Sequence, residues 1–238
     1  MNPRVLALLL LAPVLVAGVF AAVPGGASPE YTENKGEYPP PSPGTVKVEA
    51  GNVTLANITT NQSTYHWAGV FGNATGKLIL GDASGYKLYE WVAKAVYVYF
   101  DNDNFINWSA TATSATCSDV EGEYTFLQGK SDDCSATFTT TRTYNSYSLP
   151  WSGITTIAAQ TYKFDGATYT PYWYTLALNV DGEVVFVAET EWITSGKTSE
   201  YNVAYDGTTM VNYQVILPEN GEGGDTATTT YYVWIELV

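Results

Sequence analysis

Histidine, cysteine and cationic side chains are scarce in this chain. Its 238 residues contain one histidine, two cysteines and ten Lys+Arg against 24 Asp+Glu, for a net charge of −14. So few nitrogen and sulfur ligands exclude Cys₄ and Cys₂His₂ zinc centres, paired-histidine metal sites and haem attachment. The acidic balance repels phosphate backbones, so no nucleic-acid partner is expected. Beyond residue 23 there is no second apolar run long enough for a stop-transfer segment or a lipid-anchor tail. Long segments with apolar residues at helical spacing are absent too.

Apolar residues, by contrast, make up 45% of the chain and aromatics 14%, with 19 Tyr and 7 Trp. That composition folds around a core and is not that of a disordered chain. Residues 1–21 read as a secretory signal peptide. Arg4 precedes an apolar run from Val5 to about Phe20, and Val19-Phe20-Ala21 matches a small-x-small cleavage pattern. An uncleaved anchor is the alternative, since Val5 to Val23 is just long enough to span a bilayer; Pro13 and the Ala/Gly-rich end favour cleavage. Residues 22–45, with Pro39-Pro40-Pro41-Ser42-Pro43, form a Pro/Gly-rich linker or arm.

From residue 46 to 238 the pattern is that of strands. Candidates are Val46-Lys47-Val48, Val53-Thr54-Leu55, Lys77 to Leu80, Tyr86 to Trp91 after a Ser84-Gly85 turn, and Tyr231 to Val238. Ala95 to Phe100 is apolar on both faces and is expected to be central. Asp181-Gly182, between Trp173–Leu178 and Glu183–Ala188, is a hairpin signal. In the last strand Val233, Ile235 and Leu237 share one face, and Tyr232 and Trp234 the other. The expected fold is an all-β, two-sheet sandwich or jelly roll.

Two features agree with export. Cys117 and Cys134, with 16 residues between them, are expected to pair in an oxidising compartment. The spacing is not Cys-x-x-Cys, and no helix signal is read before either cysteine. Five Asn-x-Ser/Thr sequons, at Asn52, Asn57, Asn61, Asn73 and Asn107, predict a glycosylated face.

Chemically suggestive groups are few. His66 beside Trp67 reads as packing, with no nucleophile elbow in the chain. Asp101 and Asp103 offer alternating oxygen ligands for calcium, and Asp119, Glu121, Glu123, Asp132 and Asp133 form an acidic loop between the cysteines. Glu189 and Glu191, two residues apart on one strand, raise a glycosidase as a third reading. Tyr172, Trp173, Tyr174 and Trp151, with Tyr144 and Tyr147, are candidates for a carbohydrate-stacking platform. The chain is read as having no enzymatic activity and no cofactor other than possible calcium.

Thr64-Tyr65-His66-Trp67-Ala68-Gly69-Val70-Phe71-Gly72-Asn73-Ala74-Thr75-Gly76, continuing to Leu88-Tyr89-Glu90-Trp91, and Leu217-Pro218-Glu219-Asn220-Gly221 followed by Tyr231-Tyr232-Val233-Trp234-Ile235-Glu236-Leu237, form two distinctive stretches. Together they resemble a group of secreted archaeal surface proteins, over roughly residues 46–108 and 210–238. The resemblance implies an envelope or extracellular location and a structural or adhesive role, with no catalytic residues to transfer. On this reading Trp67 and Trp91 cover a sandwich core. The function expected is a cell-surface structural subunit of a filament or surface layer, assembled from identical copies by strand addition. A carbohydrate-binding or adhesin module is the alternative.

Overall fold

The computed structural model describes residues 23–30, 35–39, 42–47, 49–124, 128–196, 201–219 and 228–238. The signal segment and Val48 lie outside these. The strands are β1 (Gly25–Gly26), β2 (Trp67–Gly72), β3 (Gly76–Gly81), β4 (Lys87–Ala93), β5 (Ala95–Asp101), β6 (Ala112–Ser114), β7 (Thr140–Asn145), β8 (Ser152–Phe164), β9 (Tyr169–Val180), β10 (Glu183–Glu189), β11 (Asn202–Val203), β12 (Met210–Val211), β13 (Tyr213–Pro218) and β14 (Tyr232–Leu237). Three short helices are α1 (Cys117–Glu123), α2 (Cys134–Thr137) and α3 (Glu191–Ser195). The chain is all-β. No helix among the described residues is long and apolar enough to cross a membrane.

An antiparallel sheet in the order β1-β14-β5-β10-β9-β8-β7, with β6 also paired to β9, is the centre of the molecule. All seven residues of β5 are buried, because both faces of this sheet are covered. Val98, Phe100, Ala177, Phe186 and Ala188 pack on one face beneath α1, α2 and the β2–β13 ribbon. Tyr97, Tyr99, Leu176, Leu178, Val185 and Val187 pack on the other, with Tyr144, Leu149 and Trp151. In β14, Val233, Ile235 and Leu237 turn to the first face and Trp234 to the second, as the alternation predicts. The second layer is a two-stranded ribbon, smaller than the second full sheet expected.

The hairpin reading at Asp181-Gly182 holds. Both residues have positive φ, 59° and 99°, and Val180 pairs with Glu183 across a two-residue loop. The segments Val46-Lys47 and Val53-Thr54-Leu55 form no strand; they lie exposed in irregular chain. Trp67 packs on the core against Phe138, but Trp91 stays exposed on a projecting hairpin and covers no core.

Both cysteines open helices, contrary to the sequence reading. Thr116 caps α1 in a capping box with Asp119, and the Asp133 side chain caps α2. These helices have seven and four residues, too short to show periodicity. The Cys117–Cys134 disulfide joins them at a Cα separation of 5.4 Å.

The other face is held by one carboxylate. Glu236 is completely buried on β14. Its Oε1 accepts hydrogen bonds from Ser146 Oγ (2.7 Å), Tyr147 N (2.7 Å), Ser148 N (2.6 Å) and Ser148 Oγ (2.8 Å). Its Oε2 accepts from Tyr99 OH at 2.6 Å. Tyr99 spends its only proton there, so Tyr144 OH, 2.7 Å away, donates to Tyr99. Hydrogen bonds to a buried charge contribute more than neutral ones, and orphaned donors are costly. Glu236→Ala is therefore expected to destabilise the protein by roughly 3 kcal/mol or more in urea unfolding. Glu236→Gln should cost less, because Tyr99 and Tyr144 can reverse their hydrogen bonds to face an amide.

Candidate functional site

The outer edge of β14 is the least finished part of the sheet. Its inner edge pairs with β5 over the whole strand. Along its outer edge, the only strand paired with it among the described residues is β1, with Gly25 opposite Ile235 and Gly26 opposite Trp234, and Ala27 N donating to Val233 O at 2.8 Å. The glycine pair satisfies backbone groups but brings no side chain, and only Gly26 lies against an apolar group, the Trp234 ring, which a Cβ there would meet at 4.0 Å. A Cβ built on Gly25 meets nothing within 4 Å. Beside it lies a groove of about 1860 Å³, whose lining includes Val70, Val98, Val215, Val233, Ile235 and Leu237. Lys35 adds a second tether, 3.9 Å from Asp206. The chain between the arm and β2 presents Val53, Leu55 and Ile58 at 102%, 89% and 83% exposure.

The groups singled out for chemistry are occupied elsewhere. His66 Nδ1 lies 2.8 Å from Asp132 Oδ1, Thr64 Oγ1 bonds the same carboxylate, and Trp67 Nε1 donates to Asp132 O at 2.6 Å. This cluster ties the start of β2 to the disulfide loop. Glu189 and Glu191 do not share one strand face, since the first ends β10 and the second opens α3. Arg142 grips Glu189 with two nitrogens at 2.9–3.1 Å. Burial raises the Glu189 pKa despite that partner. Tyr172 OH lies 2.9 and 2.8 Å from the two Glu191 oxygens. Each glutamate is thus buried with its own partner, which is not the arrangement of two carboxylates flanking a substrate cleft.

Asp101 is buried, and its Oδ1 accepts from Asp103 N at 2.9 Å in an Asx turn. Asp103 Oδ1 likewise accepts from Asn104 N at 2.8 Å. Among the described residues no group of three or more His, Cys, Asp or Glu is placed to hold a metal ion.

The carbohydrate platform is corrected in part. Trp173 and Trp151 are buried, the latter donating from Nε1 to Ala110 O at 2.8 Å. Tyr144 is buried as well. Tyr172 and Tyr174 are half-buried, with Lys163 over the first ring at 4.1 Å and Arg142 against the second at 4.3 Å. Those ring faces are taken by the protein's own cations. Sequence reasoning missed the aromatics that do reach solvent together, Tyr86, Tyr89 and Trp91 on the β3–β4 hairpin. Of the sequon residues, Asn52, Asn57, Asn61 and Asn73 are exposed. Asn107 is half-buried and its Nδ2 donates to Asp181 Oδ2 at 3.2 Å.

Comparison of the chain with protein-family models, curated proteins and solved structures finds no match.

Two carboxylates have a predictable effect on stability. Burial, reinforced by the nearby Glu183 charge, raises the Asp101 pKa to about 6 and that of Glu123 to about 7. The folded chain holds these protons more tightly than the unfolded chain, so the penalty is complete above those values and vanishes near the ordinary carboxylate range. Hydrogen bonds to Asp133 and Asp165 depress their pKa values and act oppositely, with stability lost as pH falls below that range. The melting temperature should therefore rise as pH is lowered from about 8 to about 5, then fall in stronger acid. Glu123→Gln should flatten the upper limb. A melting temperature falling throughout acidification would contradict the assignment.

Proposed function

We propose that this protein is a secreted structural subunit of an extracellular filament or surface layer, assembled from identical copies by β-strand addition. The observation that carries the reading is the outer edge of β14, which among the described residues pairs only with the chain's own Gly25–Ala27 segment, beside a large groove of mixed polar and apolar lining. A sheet edge with unpaired backbone groups accepts an extended segment from any chain that offers one. β14 lies between β1 and β5, which leaves the N-terminal arm as the donor. Docking of one copy's arm on the next copy's β14 is a head-to-tail contact, and such contacts propagate into open fibres when the rotation does not close. Export is supported by the apolar leader, by the disulfide and by sequons on exposed chain.

The test is negative-stain electron microscopy of the native protein released gently from the cell surface, and of the mature chain concentrated in vitro. Regular fibres or a lattice are expected. Deleting residues 22–30 should leave dispersed particles with unchanged circular dichroism. A full-length mature chain that stays monomeric at the highest soluble concentration overturns the reading.

A further inference from the structure

The β3–β4 hairpin presents large apolar side chains on both faces. Of the 24 exposed large apolar residues described, eight fall within residues 76–93. Strand register sorts most of them onto two faces. Leu78 pairs with Trp91 and Leu80 with Tyr89, so these four share one face, at 38%, 47%, 50% and 57% exposure respectively. Tyr89 and Trp91 pack against each other, tilted by 56°, at 4.7 Å between ring centroids. The other face carries Ile79 and Val92 around Glu90, which is paired with Lys77 and with Lys87 at 3.0 Å. The hairpin is rooted where Gly76 meets Leu237; a Cβ there would lie 2.6 Å from the leucine side chain. An isolated two-stranded hairpin is marginal in water without cover on its apolar face.

We infer that the Leu78/Leu80/Tyr89/Trp91 face of the β3–β4 hairpin is a self-association surface that stacks on the same face of a second copy. A second hairpin supplies the cover the first lacks, forming a small two-layer β structure with Trp and Tyr at its centre. Charge favours this partner. The chain carries −14, yet Lys77 and Lys87 balance Asp82 and Glu90 within the hairpin, so two copies meet here without like-charge repulsion. An anionic lipid surface would repel the rest of the chain. The hairpin also contains no sequon. The other exposed apolar segment, around Val53 and Leu55, is a poorer occupant. In an extended segment Asn52 falls on the face of Thr54 and Ala56, and Asn57 on that of Val53 and Leu55, so sequons mark both faces.

The four side chains offer roughly 400 Å² of cover, about half of the ~800 Å² per partner of a standard stable interface. One contact alone is therefore weak. Repeated along a fibre it becomes a strong lateral link, a consequence that rests on the filament reading, whereas the pairing of two hairpins does not.

The experiment is sedimentation equilibrium on the mature chain lacking residues 22–30, which removes the arm contact, across concentration and salt. A monomer–dimer equilibrium is expected, strengthening with salt as net repulsion is screened. Trp91→Ser and, independently, Leu80→Lys should weaken it at least tenfold, with the Cys117–Cys134 disulfide and circular dichroism unchanged. Val92→Ser, on the opposite face, should not. Three outcomes overturn the inference: a monomer throughout, a dimer indifferent to Trp91 and Leu80, or no dimer together with Trp91-dependent sedimentation on phosphatidylcholine vesicles, which would make the hairpin a lipid contact. Failure of fibre formation by the intact arm, with this dimer preserved, would count only against strand donation.

Discussion

A buried carboxylate on the last strand ties that strand to the turn that covers the second sheet face. Among the described residues Glu236 forms no ion pair, and its two oxygens accept from five donors of Tyr99 and the 146–148 turn. A buried charge is tolerated only where its hydrogen-bonding capacity is filled, so the turn has to hold its geometry for β14 to remain in the sheet. That turn in turn carries Leu149 and leads into Trp151, both of which lie over the second sheet face. Removing this anchor would loosen a strand and a layer together. The glutamate of the Tyr-Tyr-Val-Trp-Ile-Glu-Leu ending thus has a physical reason to be there, independent of any resemblance.

The two faces of the sheet are covered by different means. One has the β2–β13 ribbon and two capped helices fixed by a disulfide. The other has irregular chain and α3, held by aromatic packing and hydrogen bonds. Irregular segments can cover a sheet only if their polar groups find partners, and here Trp108, Trp151 and Trp234 cluster while the Trp151 indole nitrogen reaches the backbone of Ala110. Trp151, which the sequence offered as part of a sugar platform, is spent on this task, and Trp173 is buried elsewhere, with Ala204 and Val211.

Much of the sheet was legible where local chemistry was decisive. The all-apolar run of β5, the Asp181-Gly182 turn and the face assignment of β14 follow from period two and from positive-φ turn residues. Several features were not legible. The helices at the cysteines span only about two turns and one turn, too few for an apolar stripe to repeat, although Thr116-x-x-Asp119 was a capping signal in plain view. Val53-Thr54-Leu55 has strand composition but no partner within the chain, and pairing decides a strand more than composition does. Burial of Trp173 against exposure of Trp91 depends on which strands stack above each, a non-local fact that alternation alone does not contain. The β14 edge, likewise, is defined by what fails to pair beside it.

Placement of the arm has a mechanical consequence. β1 runs antiparallel to β14, and β14 antiparallel to β5. A pull applied along the arm is directed along the strand axis, so the ladder bonds between β14 and β5 share the load in shear instead of opening one at a time from an end. Glu236 lies on that same strand, and its donors from β5 and the 146–148 turn brace it against sliding, whereas the Cys117–Cys134 bridge, on a different layer, stays out of the loaded path. In the assembly proposed above, tension would pass first through the short β1–β14 pairing and then through the β14–β5 ladder and the Glu236 contacts, none of them covalent.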